Sequence, residues 1–531
     1  MTDDSQRGRI AYDGTPTPLK TALFLVLCLT WLVPGLVGHD PWKVDEAVAF
    51  GAVAEILRTG NWMDFRIAGE AFTGAAPLFL WTAAAFGKLF GAVLTLHDAA
   101  RLAAGFYVAL TLGMLSLACR ELLGARAARM GVLLFIGCIG LLIRAHEMTT
   151  DLAGLAGIAA GLYGLALAAR RPVAGGAITG AGMGLASLGD GALPLGMLLV
   201  LLAVLPLAAP FWRNRRYART AGAALACAAP FVALWPPSLQ VAWFAIDIGE
   251  ITYFARIMPW YAWPAWPLAA WSLWRARRNL PERHELQLPL LAFIAFFLTI
   301  TVFGEAREVN ALPMLLPLAI LGVAELDSVP RGAASALDWF GMTTFFLFAA
   351  LLWIGWGAAL TGKPQFAAAW LLREIPGFTY RFDIVAFAFA AMLTLVWLVV
   401  VARSLRSTRR ALVNWTAGIT MVWMLMMTLG LPLVDQAKSY RAVAAKIAVE
   451  LPRATPCIAR RNLGDAQRAS FDYFAGLKTV PEGAADSSRC KALLVQAAPL
   501  RTPSVSAEWA EAWRGARPGD RNEVFILYHR P

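Results

Sequence analysis

The sequence predicts an all-α polytopic membrane protein that ends in a small α/β domain. Of the 531 residues, 59% are hydrophobic and only 15% are charged, and the mean hydropathy is +0.58. This composition excludes a water-soluble fold for most of the chain. Apolar runs long enough to cross a bilayer recur up to residue 434, and only the segment after them has the composition of a soluble domain.

Thirteen apolar runs are predicted as transmembrane helices, which defines a membrane domain over 19–434. No small-residue cleavage site follows the first run, so we expect a retained helix and not a removed signal peptide. Residues 1–18 are polar and are predicted to form a cytoplasmic tail. The thirteen runs lie at 19–37, 101–119, 130–144, 151–169, 173–188, 192–210, 218–236, 259–274, 287–303, 309–325, 336–360, 382–402 and 411–433.

The net charge of +12 comes largely from short arginine clusters between the apolar runs. With thirteen crossings these clusters all lie on the side of the N-terminus, which the positive-inside rule identifies as the cytoplasm. The pattern is typical of a protein whose partner is the lipid bilayer, and it argues against a nucleic-acid partner. The odd number of crossings then places the C-terminal domain, 435–531, in the periplasm.

One apolar stretch, from Pro77 to Val93, is short and contains Lys88. If it crossed the membrane, every later arginine cluster would lie outside. We therefore predict an interfacial helix within a first periplasmic loop, 38–100, with an amphipathic helix from Asp45 to about Leu57 before it. The alternative is a short true span combined with an error elsewhere in the count.

Acidic residues collect in the periplasmic loops. Asp45 and Glu46 stand in the first loop, and Asp151 follows the second loop, which reads RAHEMTTD. Carboxylates held at a bilayer surface are costly to desolvate, and this favours a functional role. For Asp151 alone, a helix N-cap is the simpler interpretation. We predict that Asp45, Glu46 and Asp151 meet in one external site.

The C-terminal domain alternates predicted helices and strands, with strands near Cys457, at Ala492–Gln496 and at Glu523–Tyr528, which indicates a small α/β unit. It has no phosphate-binding loop and no nucleophile elbow, so we expect it to cap the membrane domain or to help hold an acceptor. Cys457 and Cys490 are candidates for a disulfide if this domain is periplasmic. The five histidines are scattered without metal-ligand spacing, so metal use stays unknown. The aromatic run from Pro259 to Trp271 predicts an interfacial belt, with stacking on a sugar or lipid chain as the alternative.

Several motifs together carry a family resemblance. They are VDEAVAFGAVAEILRTGNW, Gly69, APLFLW from Ala76, the HDAARLAAG stretch, and REVNALPMLLPLAIL from Arg307. Over about four-fifths of the chain the sequence resembles the GT-C membrane glycosyltransferases, especially the lipid A aminoarabinose transferase and protein O-mannosyltransferase group. Asp45, Glu46 and Asp151 occupy the positions of that group's acidic residues.

The resemblance implies a GT-C fold in a bacterial inner membrane. It also implies transfer of a sugar from a polyprenyl (undecaprenyl) phosphate donor to lipid A, another glycolipid or a glycan on the periplasmic side. In this interpretation Asp45 accepts the acceptor proton, while Glu46 and Asp151 orient the acceptor or hold an optional divalent cation.

The chain departs from the group at two positions near the donor phosphate. Lysines that group members carry there are replaced by Gly74–Ala75 and by Gly189–Asp190–Gly191. Substrate binding is therefore assigned to other residues of the outer face: Arg58, Arg66, Arg144, His146, Arg256 and Arg307.

Two alternative functions remain at this point. A secondary transporter or flippase would also have many spans, but the sequence has no internal repeat and few ionisable residues at span centres. A non-catalytic relative acting in envelope glycan assembly would explain the missing lysines.

Overall fold

The structure, a computed structural model, describes residues 18–73, 75–236, 248–403, 408–452, 457–499 and 504–530. The predicted cytoplasmic tail before Pro18 and the family departure at Gly74 lie outside these ranges. The described residues are mostly helical and end in a domain built on a sheet, which confirms the predicted fold class in outline.

The membrane part contains nineteen α-helices within the described ranges. They are α1 (Pro18–Leu32), α2 (Asp45–Thr59), α3 (Pro77–Phe90), α4 (Leu96–Leu123), α5 (Ala125–Ile136), α6 (Leu141–Arg144), α7 (Asp151–Ala168), α8 (Pro172–Asp190), α9 (Ala192–Ala208), α10 (Arg215–Leu234), α11 (Ile248–Tyr261), α12 (Ala265–Ala276), α13 (His284–Phe303), α14 (Leu312–Ala324), α15 (Arg331–Thr361), α16 (Gln365–Glu374), α17 (Ile384–Arg403), α18 (Thr408–Leu425) and α19 (Leu431–Lys438). A two-stranded ribbon, β1 (Arg66–Ile67) and β2 (Glu70–Ala71), follows α2.

Among the described residues, seven helical stretches are long and apolar enough to cross a membrane, and shorter apolar helices accompany them. The chain is therefore a multi-pass membrane protein, while the count of thirteen crossings and the interfacial position of α3 stay predictions. Several predicted spans are broken where the sequence disfavours a continuous helix. Pro264 separates α11 from α12, since proline has no backbone N–H to donate.

Helices α7 and α8 pack with their backbones in direct contact. A Cβ atom on Gly157 would lie 2.4 Å from the backbone nitrogen of Ala186, so only glycine fits there. At the end where α7 begins and α8 ends, a Cβ on Gly154 would lie 2.7 Å from the Cβ of Asp190. This close packing brings Asp151 and Asp190 to the same end of the pair.

The C-terminal domain consists of α20 (Arg441–Glu450), α21 (Asp465–Ala475) and a five-stranded sheet of order β4-β3-β5-β7-β6. Strand β3 is parallel to β4 and β5, and β7 is antiparallel to β5 and β6. Cys457 and Cys490, which precede β3 and β5, form a disulfide with their Cα atoms 4.9 Å apart. The strands are β3 (Ile458–Arg461), β4 (Thr479–Pro481), β5 (Ala492–Ala497), β6 (Ala510–Gly515) and β7 (Val524–His529).

This domain lies on the first loop of the membrane part. Helix α21 packs on α2 so closely that a Cβ on Gly51 would lie 2.4 Å from the Cβ of Ala469. Arg441 donates to Asp40 at 2.8 Å, and Arg460 donates to Glu70 at 2.7 Å. The helix that begins with Asp45 is thus held from both sides, by the membrane helices and by the C-terminal domain.

Candidate active site

Asp45 is the first residue of α2 and points outward. Its Oδ1 accepts a hydrogen bond from Arg307 Nη2 at 3.1 Å, and its Oδ2 lies 3.6 Å from Arg144 Nη1. The side chain keeps 37% of its surface exposed. A carboxylate at a helix N-terminus is favoured by the helix dipole. Asp45 is therefore an accessible anion held between two guanidinium groups.

Arg144 gathers three further parts of the chain around Asp45. It ends the short helix α6, donates to Glu147 at 2.9 Å, and lies 3.9 Å from Glu308. Glu308 opens a 3₁₀ turn before α14, directly after Arg307. The loop before α7 and the turn before α14 thus meet the start of α2, although they are far apart in the sequence.

Glu46, the next residue, points into the protein interior and not into the predicted external site. It is 2% exposed and accepts hydrogen bonds from Arg101 Nε at 2.5 Å, from the Trp42 backbone at 2.9 Å and from the Met148 backbone at 3.3 Å. Burial alone would raise the pKa of Glu46, but the Arg101 guanidinium, together with His39 and the Trp42 amide, more than offsets this and holds the pKa below its usual value. A carboxylate so fully bonded positions the chain, and we assign it no contact with substrate.

Arg101 is the centre of this inner network. It is fully buried and also donates to Asp98 at 2.8 Å and to the backbone oxygens of His39 and Asp40 at 3.0 and 3.2 Å. A buried arginine is tolerated only when its donors are satisfied in this way. The network ties the start of α2 to α4 and to the loop before α7.

Asp151 is the third acidic residue of the predicted site. It is the first residue of α7, and the N-cap position belongs to Thr150, which makes no side-chain capping bond. The charges of Arg307, Asp45 and Arg144 all act on its carboxyl group. Asp151 lines a small cavity with Asp190 and Asn310. Its carboxyl group also accepts a hydrogen bond from its own backbone N–H, as is common for an acidic residue at a helix N-terminus.

The remaining predicted substrate-binding residues divide by position. Arg58 stands at the far end of α2, about 20 Å along the helix axis from Asp45, and donates to Asp472 at 2.8 Å. Arg66 is exposed and pairs with Asp64 at 2.7 Å. Arg256 borders the cluster, because its charge acts on Tyr253 together with those of Arg144 and Glu308. The structure thus brings Arg144 and Arg307 to Asp45 and leaves Arg58 and Arg66 elsewhere.

His146 is a packing residue in this structure. Its side chain is 3% exposed, and its ring lies between those of Trp31 and Trp423, with centroids 4.9 and 4.4 Å away. Its ring nitrogens are 2.7 and 2.8 Å from the backbone oxygens of Leu142 and Trp31. Burial lowers the pKa of His146 to about 4. It is neutral at pH 7 and supports the turn that carries Arg144.

The site contains more acidic than basic groups. Asp45, Glu147, Glu308 and Asp151 face the two guanidinium groups of Arg144 and Arg307. Across the described ranges, no group of three or more His, Cys, Asp or Glu side chains is placed to hold a metal ion.

Sequence reasoning missed two residues of this region. Arg101 was part of the HDAARLAAG motif, and its spacing of three residues from Asp98 on a helix was the available signal. Tyr261 was hidden in the aromatic run that predicted an interfacial belt. Its environment depends on Gly140, which is more than a hundred residues earlier in the chain.

Comparisons with known proteins give a likeness to solved structures. No protein-family model and no curated protein sequence matches the chain. The crystal structure of ArnT from Cupriavidus metallidurans bound to undecaprenyl phosphate superposes with a TM-score of 0.67 at 18% identity, covering 96% of this chain and 98% of that one. The apo state of the same protein gives a TM-score of 0.65 at 19% identity, with 96% and 97% covered.

A more distant likeness is to the archaeal oligosaccharyltransferase AglB from Archaeoglobus fulgidus. It has a TM-score of 0.44 at 13% identity and covers 90% of this chain and 69% of that one. The agreement with ArnT extends over nearly the full length of both chains. The chain therefore has the fold of the GT-C membrane glycosyltransferases.

Proposed function

We propose that this chain transfers a sugar from a polyprenyl-phosphate donor of the undecaprenyl type to lipid A, another glycolipid or a glycan, on the periplasmic side of the bacterial inner membrane. The observation that carries this proposal is the accessible Asp45 carboxylate between Arg144 and Arg307. The donor class is supported by the ArnT structure of the same fold, which has undecaprenyl phosphate bound.

The reaction needs a base and a group that neutralises the leaving phosphate. The acceptor hydroxyl oxygen attacks the anomeric carbon while the bond from that carbon to the phosphate oxygen breaks. Asp45 accepts the hydroxyl proton. Polyprenyl phosphate leaves with the bonding electrons, and the configuration at the anomeric carbon is inverted. Arg144 and Arg307 stabilise the charge on the departing phosphate.

The contacts of Asp45 suggest how donor binding prepares the base. Arg307 and Arg144 contact Asp45 at 3.1 and 3.6 Å, and both partners are partly exposed. A phosphate is a stronger partner for a guanidinium group than a solvated carboxylate, because it offers more charge and more acceptor oxygens. When the phosphate takes over the two arginines, Asp45 is released to accept a proton.

Glu46 has a different role in this proposal. Because both of its oxygens are bonded within the Arg101 network, it fixes the first turn of α2 and hence the direction of Asp45. The charges of Arg307 and Asp45 act on Asp151. We assign Asp151 to orientation of the acceptor, or to binding of a divalent cation if the reaction uses one.

The test is turnover of a polyprenyl-phosphate sugar by the purified protein. We expect acceptor-dependent release of polyprenyl phosphate, and we expect Asp45→Asn to reduce it by roughly 100- to 10,000-fold, the usual contribution of a positioned base. Asp64→Asn is the matched control, since Asp64 is an exposed carboxylate of the same loop that pairs with Arg66. It should retain activity.

The possible outcomes separate the alternatives. Full turnover by folded Asp45→Asn would refute the role of Asp45. Movement of a solute across sealed vesicles without a covalent product would instead indicate a transporter. A wild-type protein that binds the donor but never transfers its sugar would indicate a non-catalytic relative.

A further inference from the structure

The hydroxyl group of Tyr261 is buried and unpaired among the described residues. The side chain is 1% exposed, and its hydroxyl oxygen makes no hydrogen bond within the described part of the chain. Leaving a buried hydroxyl unpaired destabilises a fold, since the group loses water and gains nothing in return. A tyrosine at such a place suggests a function for its oxygen that the packing of the ring does not require.

The ring of Tyr261 is fixed in position by Gly140. A Cβ atom on Gly140 would lie 2.3 Å from the ring, so the tyrosine packs flat against a backbone that only glycine provides. The Gly140 amide also donates to the backbone oxygen of Tyr261 at 2.9 Å. The hydroxyl group therefore has a defined place and cannot turn away to find another partner.

The same short segment positions Arg144. Helix α6 begins at Leu141, directly after Gly140, and ends at Arg144. One turn of backbone thus connects the residue that holds the tyrosine ring to the residue that contacts Asp45. The charged groups that act on the Tyr261 hydroxyl are Arg144, Glu308 and Asp151, all members of the candidate active site.

We propose that the Tyr261 hydroxyl donates a hydrogen bond to a phosphoryl oxygen of the lipid-linked donor when that phosphate binds Arg144. This inference rests on the proposed function and names a donor-binding residue within it. Arg144 is able to change partners, because its contacts with Asp45 and Glu308 are long, at 3.6 and 3.9 Å. A phosphate bound there supplies the acceptor that the hydroxyl lacks.

The experiment compares Tyr261→Phe with the wild type in binding of undecaprenyl phosphate, followed by tryptophan fluorescence of the full chain in detergent. We expect the dissociation constant to increase roughly 10- to 100-fold, as for loss of a hydrogen bond to a charged group. The KM for the donor sugar should increase accordingly, with a smaller change in kcat. The melting temperature should stay equal or rise, because an unpaired buried hydroxyl is removed.

Tyr217→Phe is the matched control. Tyr217 is also buried, but its hydroxyl donates to the backbone oxygen of Leu202. Its loss should lower the melting temperature and leave binding of undecaprenyl phosphate unchanged. The two variants are therefore expected to differ in opposite ways. Tyr261→Phe should weaken binding of undecaprenyl phosphate without lowering the melting temperature, and Tyr217→Phe should lower the melting temperature without weakening binding.

Two failures can be told apart. If the wild type binds undecaprenyl phosphate and Tyr261→Phe binds it equally well, the inference is wrong and the proposed function stands. If the wild type does not bind undecaprenyl phosphate, the proposed donor class is wrong, and the role of Tyr261 is refuted with it.

Discussion

Asp45 and Glu46 are neighbours in the sequence but differ in exposure and in bonding partners. The Asp45 side chain is 37% exposed and makes two ion pairs with partly exposed arginines. The Glu46 side chain is 2% exposed and bonds to a fully buried arginine and two backbone amides. Successive residues of an α-helix point about 100° apart, so a pair at a helix start faces two environments.

The comparison distinguishes Asp45, whose carboxylate is accessible to a ligand, from Glu46, whose carboxylate holds the chain in position. The outer ion pairs are open to solvent and exchangeable, which suits a group that must give up its partners to a ligand. The inner network is buried and its arginine is fully bonded, which suits a group that must not move. Substitutions in the two regions should therefore affect different properties.

The largest expected effect on stability is at Arg101. Arg101→Gln leaves Glu46 and Asp98 buried without their cation, and loss of one partner from a buried ion pair costs about 3–5 kcal/mol. We expect a much lower melting temperature in detergent and loss of activity with it. Arg120→Gln, at the exposed end of the same helix, is the control and should unfold like the wild type.

A second substitution sharpens this prediction. Arg101→Gln leaves two buried carboxylates without their cation, and adding Glu46→Gln removes one of these charges. The double variant should therefore lose less stability than the sum of the losses measured for the two single variants. Strictly additive losses would mean that Glu46 and Arg101 do not act as a unit.

In the outer region, Arg307→Gln should separate activity from stability. Its pair with Asp45 is half-exposed, so the free energy of unfolding should change by less than about 1 kcal/mol. The KM for the donor should rise about tenfold or more, since a charged contact to phosphate is lost. Arg514→Gln removes a similarly exposed pair with Glu511 in the C-terminal sheet and should alter neither property. An unchanged donor KM in Arg307→Gln would exclude Arg307 from phosphate binding.

The smallest expected effect concerns pH and the contact between the two domains. The hydrogen bond from Arg460 holds the pKa of Glu70 below its usual value. Glu70 therefore contributes stability above its ordinary pKa, near 4.3, and this contribution is lost as the pH falls through the lowered value in the folded state. Because Glu70 is partly exposed, we expect less than about 1 kcal/mol.

Thermal unfolding of the wild type and Glu70→Gln between pH 7 and pH 3 measures this contribution. The difference in stability between the two proteins should be largest at pH 7 and should vanish toward pH 3. A difference that persists unchanged at low pH would mean that the ionised Glu70 does not stabilise the contact.

Much of the fold followed from local patterns. The helix from Asp45 was expected to reach about Leu57 and ends at Thr59, and the strand expected near Cys457 begins at Ile458. Strands β4 and β6 were not predicted, because their short segments lack an alternating apolar pattern and are specified by pairing with β3 and β7. Among the predicted cations, the sequence did not distinguish Arg307 from Arg66, since both are exposed arginines near acidic residues.

The sequence by itself determined that this chain is a multi-pass membrane protein with a small α/β end and with acidic residues clustered in a few loops. Those properties are sums over local composition and periodicity, which do not depend on distant contacts. Only the tertiary structure decided that Asp45 faces Arg307 while Glu46 faces Arg101, and that the buried Tyr261 hydroxyl has no hydrogen-bond partner among the residues that the structure describes. The direction of a side chain depends on which remote residues pack around it, and those partners are set by the fold as a whole.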